Sequence, residues 1–311
     1  MKRILVSTDF SETASAAFRP AVELARATGA SLSVIYVVDR LTYNTGYPYL
    51  DLSAYQSRIE TLAAQSLDTT VERLRSLGGS QVEGRYVVGT PHVEILRESR
   101  RLPTEALVIA THGLSGFRRF VLGSTTERVV RKAKCPVLAV NAARDDAPFT
   151  PRRVLFPTDL SATAAEALPY AADLAASLGA DLELLHVFED PGRVPVLGPG
   201  YLMPTADEVQ SYRNDCIERL VQAAASASRG ERRATWRVVE DEPIAEAIVG
   251  YAKTAGFDMI VTPSHGRRGL EHMFLGSVAE RVIRFSEVPV LVVKPAAFHG
   301  TEAPSHEEND R

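Results

Sequence analysis

The chain is written twice. Lys2-Arg3-Ile4-Leu5-Val6-Ser7-Thr8-Asp9-Phe10-Ser11 returns as Arg152-Arg153-Val154-Leu155-Phe156-Pro157-Thr158-Asp159-Leu160-Ser161, at an offset of 150 residues. Gly29-Ala30 returns at the same offset as Gly179-Ala180. His112-Gly113, Gly123-Ser124 and Pro136-Val137-Leu138 return as His265-Gly266, Gly276-Ser277 and Pro289-Val290-Leu291, now offset by 153. Several blocks agreeing in order are the signature of duplication, with small insertions behind the drift. The 311 residues exceed the usual size of one core and suit two. Asn141 to Pro151 is polar and proline-bounded and reads as a linker. The expected domains are therefore 1–146 and 151–296, with 297–311 an acidic, disordered tail.

Each copy alternates strand and helix. Ile4-Leu5-Val6 is a short apolar run of the kind buried on both faces of a parallel sheet. Ser11 is placed to cap a helix whose inner stripe is Ala14, Ala17, Phe18, Ala21, Val22 and Ala25, ended by Gly29. The second copy repeats the stripe from Ala164 to Ala175 and ends it at Gly179. The order continues with a strand (Leu32 to Val38; Leu182 to Phe188), a long helix (Ser53 to Leu77; Thr205 to Ser228) and a strand (Gly84 to Val88; Thr235 to Val239). A helix opened by Pro91 or Pro243, a fourth strand (Leu107 to Ile109; Met259 to Val261), a last helix (Ser124 to Ala133; Ser277 to Arg284) and a fifth strand (Val137 to Val140; Val290 to Val293) complete each copy. Five strands with helical crossovers predict a doubly wound parallel α/β sheet in each half.

Ligands in such folds bind beyond the carboxyl ends of the strands. The loop that emerges there after strand four is glycine-rich, Ala110-Thr111-His112-Gly113-Leu114-Ser115-Gly116 and Pro263-Ser264-His265-Gly266-Arg267-Arg268-Gly269. Gly123-Ser124-Thr125 and Gly276-Ser277-Val278 follow where a helix begins, so free amides and the helix dipole can hold a phosphate chain there. The same residues also serve as ordinary turn and cap residues, and that reading stands beside the first.

The residues also carry a family resemblance. The opening Thr-Asp-Phe-Ser or Thr-Asp-Leu-Ser, the His-Gly separated by nine residues from Gly-Ser, and the closing Pro-Val-Leu strand make each half resemble a universal stress protein domain, over nearly all of residues 1 to 295. The resemblance implies two tandem Rossmann-like domains of the adenine nucleotide alpha hydrolase kind, which pair through the fifth strand. In one branch of the family it also implies an ATP site with Mg²⁺, built on Gly, two residues, Gly, nine residues, Gly, then Ser or Thr. Gly113, Gly123 and Ser124 match the last three elements in the first half, and Gly266, Gly276 and Ser277 in the second. Ala110 and Pro263 replace the first glycine; the proline is the larger departure because it fixes φ and deletes an N–H donor.

By the same resemblance Asp9 and Asp159 lie near the adenosine or the metal-bound phosphates, and Val38 and Phe188 present backbone to adenine. The alternatives are that the aspartates cap helices and that Val38 and Phe188 are core. His112 and His265 either reach phosphate or brace their own loop. The loops after strand two, aromatic at Thr42 to Tyr49 and Pro/Gly-rich at Asp190 to Gly200, are either lids or surface connections. The expectation is a stress-response regulator working through nucleotide-dependent conformation or association. One chain supplies both partners of a pseudo-dimer, and further pairing into a homodimer is compatible with it. The competing expectations are an interaction scaffold with no nucleotide, and slow ATP hydrolysis or autophosphorylation on Ser124 or Ser277.

Composition removes other classes. A net charge of -4 excludes a strongly basic nucleic-acid binder. Residues 1 to 148 carry 19 basic and 15 acidic residues (+4) and the remainder 16 and 24 (-8), so the copies have diverged in charge. Cys135 and Cys216 cannot build a disulfide scaffold or a cysteine-rich zinc site. No apolar run reaches the roughly 20 residues that span a bilayer, and no signal-peptide core follows Met1, so a cytoplasmic protein is expected. No P-loop, dinucleotide fingerprint, nucleophile elbow or zinc-protease motif is present, which argues against fast NTP hydrolysis. The basic residues Arg128, Arg131, Lys132 and Lys134 read as a solvated helix face.

Overall fold

The structure is a computed structural model describing residues 2–39, 52–111, 122–141, 149–189, 203–240, 243–266 and 275–294. His112, Gly113, the loops after strand two and the tail lie outside the described residues. The first half runs β1 (Arg3–Thr8), α1 (Glu12–Ser15), α2 (Phe18–Thr28), β2 (Ser31–Asp39), α3 (Leu52–Ser76), β3 (Val82–Gly89), α4 (Pro91–Arg101), β4 (Ala106–Ala110), α5 (Ser124–Lys132) and β5 (Val137–Val140). The second runs β6 (Arg153–Pro157), α6 (Ala162–Leu178), β7 (Asp181–Phe188), α7 (Ala206–Ala227), β8 (Thr235–Glu240), α8 (Ile244–Thr254), β9 (Met259–Pro263), α9 (Ser277–Phe285) and β10 (Val290–Val293).

All strands within a half are parallel, as helical crossovers require. The halves meet at β5 and β10, which pair antiparallel, so one sheet runs β3-β2-β1-β4-β5-β10-β9-β6-β7-β8. Leu138 faces Leu291, its own counterpart in the other copy, while Val137 faces Val292 and Ala139 faces Val290. That register is the mark of a two-fold axis through the leucine pair. Two apolar layers, one on each face of the sheet, run across both halves, and α2 packs on α6 over the seam. Among the described residues no helix is long and apolar enough to cross a membrane.

One element differs from its sequence pattern. The stripe Ala14 to Ala25 predicts a single helix, yet the chain breaks between α1 and α2. Pro20 stands in the first turn of α2, where proline is tolerated. In the second half α6 runs unbroken from Ala162 to Leu178 with Pro169 inside it, so a proline in this stretch does not by itself break the helix. Gly29 and Gly179 end these helices in the left-handed region, φ 65° and 67°, where a side chain would be strained.

Candidate functional site

The crevice is built from the carboxyl ends of strands one and four and the start of the helix after strand four. Thr8-Asp9-Phe10-Ser11 and Thr158-Asp159-Leu160-Ser161 make the same turn in both halves. Phe10 and Leu160 take the left-handed backbone at φ 62° and 61°, a conformation non-glycine residues rarely adopt. Side chains hold it. Thr8 Oγ1 accepts from Phe10 N and Thr158 Oγ1 from Leu160 N, each at 3.0 Å. Asp9 Oδ1 and Asp159 Oδ1 accept from the amides of Ser11 and Ser161, also at 3.0 Å. Ser11 and Ser161 then cap α1 and α6. The serines, not the aspartates, are the helix caps; the aspartates stabilise the turn.

Asp159 meets the loop after β9. Its Oδ2 lies 2.6 Å from the place a Cβ on Gly266 would occupy, so a side chain there would have to displace the carboxylate. Two residues 107 apart in sequence are thereby brought together (266 minus 159). The matching Gly113 lies outside the described residues.

The helix starts are equivalent. Gly123 and Gly276 occupy the N-cap positions of α5 and α9, with no side-chain cap at either. Their own amides bond to Thr111 O and Ser264 O at 2.8 Å. The first helical bonds come from Glu127 and Glu280, so the amides of Ser124, Thr125 and Thr126, and of Ser277, Val278 and Ala279, stand ahead of them. Such a terminus carries partial positive charge and suits an anion. A Cβ at Gly123 would come within 3.2 Å of Thr111 O, and one at Gly276 within 3.4 Å of Ser264 O.

Ala110 and Pro263 end β4 and β9. Ser264 N and Ile260 N bond toward β10, so in a parallel ladder the nitrogen of Pro263 faces β6, whose pairing with β9 stops at Ile260. The proline therefore breaks no ladder bond. The carbonyls differ: Ala110 O accepts from Thr126 Oγ1 at 2.7 Å, whereas Ala279 stands at the matching place in α9. Val38 and Phe188 are both buried, and Phe188 packs against Tyr212 with ring centroids 5.6 Å apart.

The motifs missed part of the crevice wall. Tyr36 on β2 stacks on Phe10, centroids 4.2 Å apart, and burial together with the Asp9 charge pushes its hydroxyl pKa up. His186, its counterpart on β7, donates from Nδ1 to Thr158 O at 2.9 Å. His265 Nδ1 shares a 2.8 Å hydrogen bond with Ser264 Oγ. Burial, with the charge of Lys294, lowers the His265 pKa, and its buried Nε2 has no partner among the described residues. Among the described residues no group of three or more His, Cys, Asp or Glu could hold a metal ion unaided.

Comparison with known proteins agrees with this architecture. A family model described as the Universal stress protein family matches residues 1–141 and again 150–294. A universal stress protein of Mycolicibacterium smegmatis is 28% identical over 295 residues, 94% of this chain and 97% of that protein. One from Mycobacterium tuberculosis is 30% identical over 227 residues, 68% of this chain and 69% of its own. The crystal structure of a universal stress protein from Archaeoglobus fulgidus shares the fold, with a TM-score of 0.67 at 24% identity over 94% of this chain and 98% of the other. The chain belongs to the universal stress protein family, with one family match in each half.

Proposed function

We propose that the crevices bind an adenine nucleotide, ATP with Mg²⁺, and that the chain is a stress-response regulator whose conformation or association follows nucleotide occupancy. The observation that carries this reading is the uncapped start of α5 and α9, three amides in each aimed beyond the carboxyl edge of the sheet. A triphosphate supplies the negative charge that such a terminus favours. The carboxylates of Asp9 and Asp159 fit a Mg²⁺ ion, which is commonly held by one or two carboxylates together with substrate phosphates and water. The backbone at Val38 and Phe188, whose side chains are buried, would face the base, as the family resemblance implies. Gly266 keeps the loop against Asp159, the role Gly113 would take in the first half.

Titration of Mg-ATP into nucleotide-stripped full-length protein tests the reading. Saturable binding is expected, with Gly123→Val abolishing one site and Gly266→Ala weakening the other about tenfold through its collision with Asp159 Oδ2. No binding up to millimolar ATP would sink it and leave the family's fold serving as a scaffold.

A further inference from the structure

Side chains two apart on a strand share a face, and three neighbouring strands use this to assemble a polar cluster at the end of the sheet away from the crevice. Arg3 and Leu5 on β1, Ser33 and Ile35 on β2, and Glu83 and Arg85 on β3 line one cavity of about 180 Å³ with Glu98 and Arg101 of α4. The strand register brings them together: Leu5 pairs with Ser33, Ser33 with Glu83, and Ile35 with Arg85.

Three guanidinium groups converge on one carboxylate there. Glu98 accepts from Arg3 at 3.1 Å, Arg101 at 2.9 Å and Arg85 at 3.2 Å. Burial alone would raise the Glu98 pKa, but hydrogen bonds from Arg101 and Arg3, with the charges of Arg101 and Arg85, hold it below the usual range. Counting Glu83, the lining carries three positive and two negative charges. Arg3 is only 4% exposed. It also donates to Glu98 O at 2.8 Å and Thr104 Oγ1 at 2.9 Å, yet its buried Nε has no partner among the described residues. A buried donor without an acceptor is costly, and natural structures rarely keep one without a reason.

We infer that this cavity is a binding site for a small oxyanion, a phosphate or a short dicarboxylate, taken up by the guanidinium groups of Arg3, Arg85 and Arg101. Three guanidiniums carry far more N–H donors than one carboxylate can accept, and their planar forks match carboxylate and phosphate oxygens. The volume falls below the roughly 300 Å³ at which pockets for larger ligands begin, which excludes a whole nucleotide. In the second half the corresponding residues are arranged differently: Tyr251 takes the place of Glu98 and donates to Glu183 beside Arg237, the counterpart of Arg85, while Arg153 lies 4.4 Å from the Phe257 ring centre. Among the described residues, three arginines gather on one carboxylate only in the first half's cluster.

Inorganic phosphate and succinate, titrated separately into the full-length protein by calorimetry, test the inference and tell the two anion types apart. Arg85 keeps about half its side chain exposed, so Arg85→Gln leaves the fold intact. At least one anion should bind, about tenfold more weakly in Arg85→Gln and with unchanged affinity in the Gly123→Val/Gly276→Val variant, whose crevices are blocked. The inference is overturned if neither anion binds below about 10 mM. Binding that survives Arg85→Gln, or that disappears in the double glycine variant, overturns it equally.

Discussion

At the underside of the first half a buried arginine is held by a carboxylate, whereas at the same place in the second half the matching arginine lies on an aromatic ring. Arg3 and Glu98 pair with side chains only 5% and 8% exposed. Arg153 stacks on Phe257, and its ion pair with Glu183 is long, at 3.6 Å. The same backbone accepts an ionic solution and an aromatic one, so the fold does not depend on either. What the fold needs is the apolar alternation of the strands; what lies beneath helix four is open to specialisation. The first-half solution is the more brittle. Glu98→Gln should lose about 3–5 kcal/mol of stability in urea unfolding, because three arginines lose their common partner and one of them is buried. Tyr251→Phe, which removes only a hydroxyl hydrogen bond, should lose about 1 kcal/mol. Equal losses would break the comparison. The folded-state pKa of Glu98 is depressed, so its contribution is full above the ordinary carboxylate range and fades only as pH falls through the folded pKa.

The seam shows a second inequality. Lys294 and Asn141 are counterparts beyond β10 and β5, and each closes the end of a helix from the opposite half. Asn141 Nδ2 donates to Ser286 O at 3.1 Å, and Lys294 Nζ donates to Val130 O at 2.7 Å. The ammonium complements the carboxyl end of α5, yet burial dominates and pulls its pKa down to about 8. The unfolded chain therefore binds more protons than the folded one between pH 8 and the ordinary lysine pKa near 10.4, and stability from this group rises with pH across that window. Below pH 8 both states are charged and the penalty is constant. Nearby Cys135 works the other way: burial pushes its thiol up to about 11, so from its ordinary value upward the folded state keeps a proton that the unfolded state loses. The lysine acts alone only between about pH 8 and 8.5. Lys294→Asn makes the seam symmetric, and wild type should gain about 1 kcal/mol of stability relative to the variant between pH 7.5 and 9. A pH-independent difference would show that the ammonium is not desolvated.

Much of this was legible because duplication supplies its own control. The strands were readable from short apolar runs, the helix ends from Ser11, Ser161, Gly29 and Gly179, and the pairing of the fifth strands followed from the family resemblance. Asp9 and Asp159 were singled out by their repeated motif, and the structure sets Asp159 against Gly266. Motifs say nothing, however, of residues whose partners lie a hundred positions away. Arg3 and Glu98 are ordinary charges in sequence and meet only because β1 and α4 are packed together. Arg131 read as part of a solvated helix face, yet it bonds to Glu280 of the other half at 2.9 Å. The break between α1 and α2 was not legible, because both halves carry the same alanine stripe and α6 stays whole even with Pro169 inside it.

The smallest difference between the halves lies in the crevice itself and is the sharpest test of whether the two sites are unequal. In the first half Thr126, on α5, ties its hydroxyl to the carbonyl of Ala110, fixing the strand end to the helix that would meet a phosphate. In the second half Ala279 offers no such tie, and Thr262 Oγ1 reaches Pro263 O only at 3.3 Å. A proline with restricted φ needs less help to hold its strand end, so the two halves reach the same geometry by different means. Thr126→Val keeps the shape but removes the donor, leaving a buried carbonyl without it. The expected loss is about 1 kcal/mol of stability, with a weaker first nucleotide site, read by urea unfolding and Mg-ATP titration. Ala279→Thr should change either quantity by less than about 0.5 kcal/mol, because Pro263 already fixes that strand end. If the threonine added to α9 instead strengthens nucleotide binding, then the hydroxyl tie sets the affinity of the site, and the second half is the weaker partner for want of one oxygen atom.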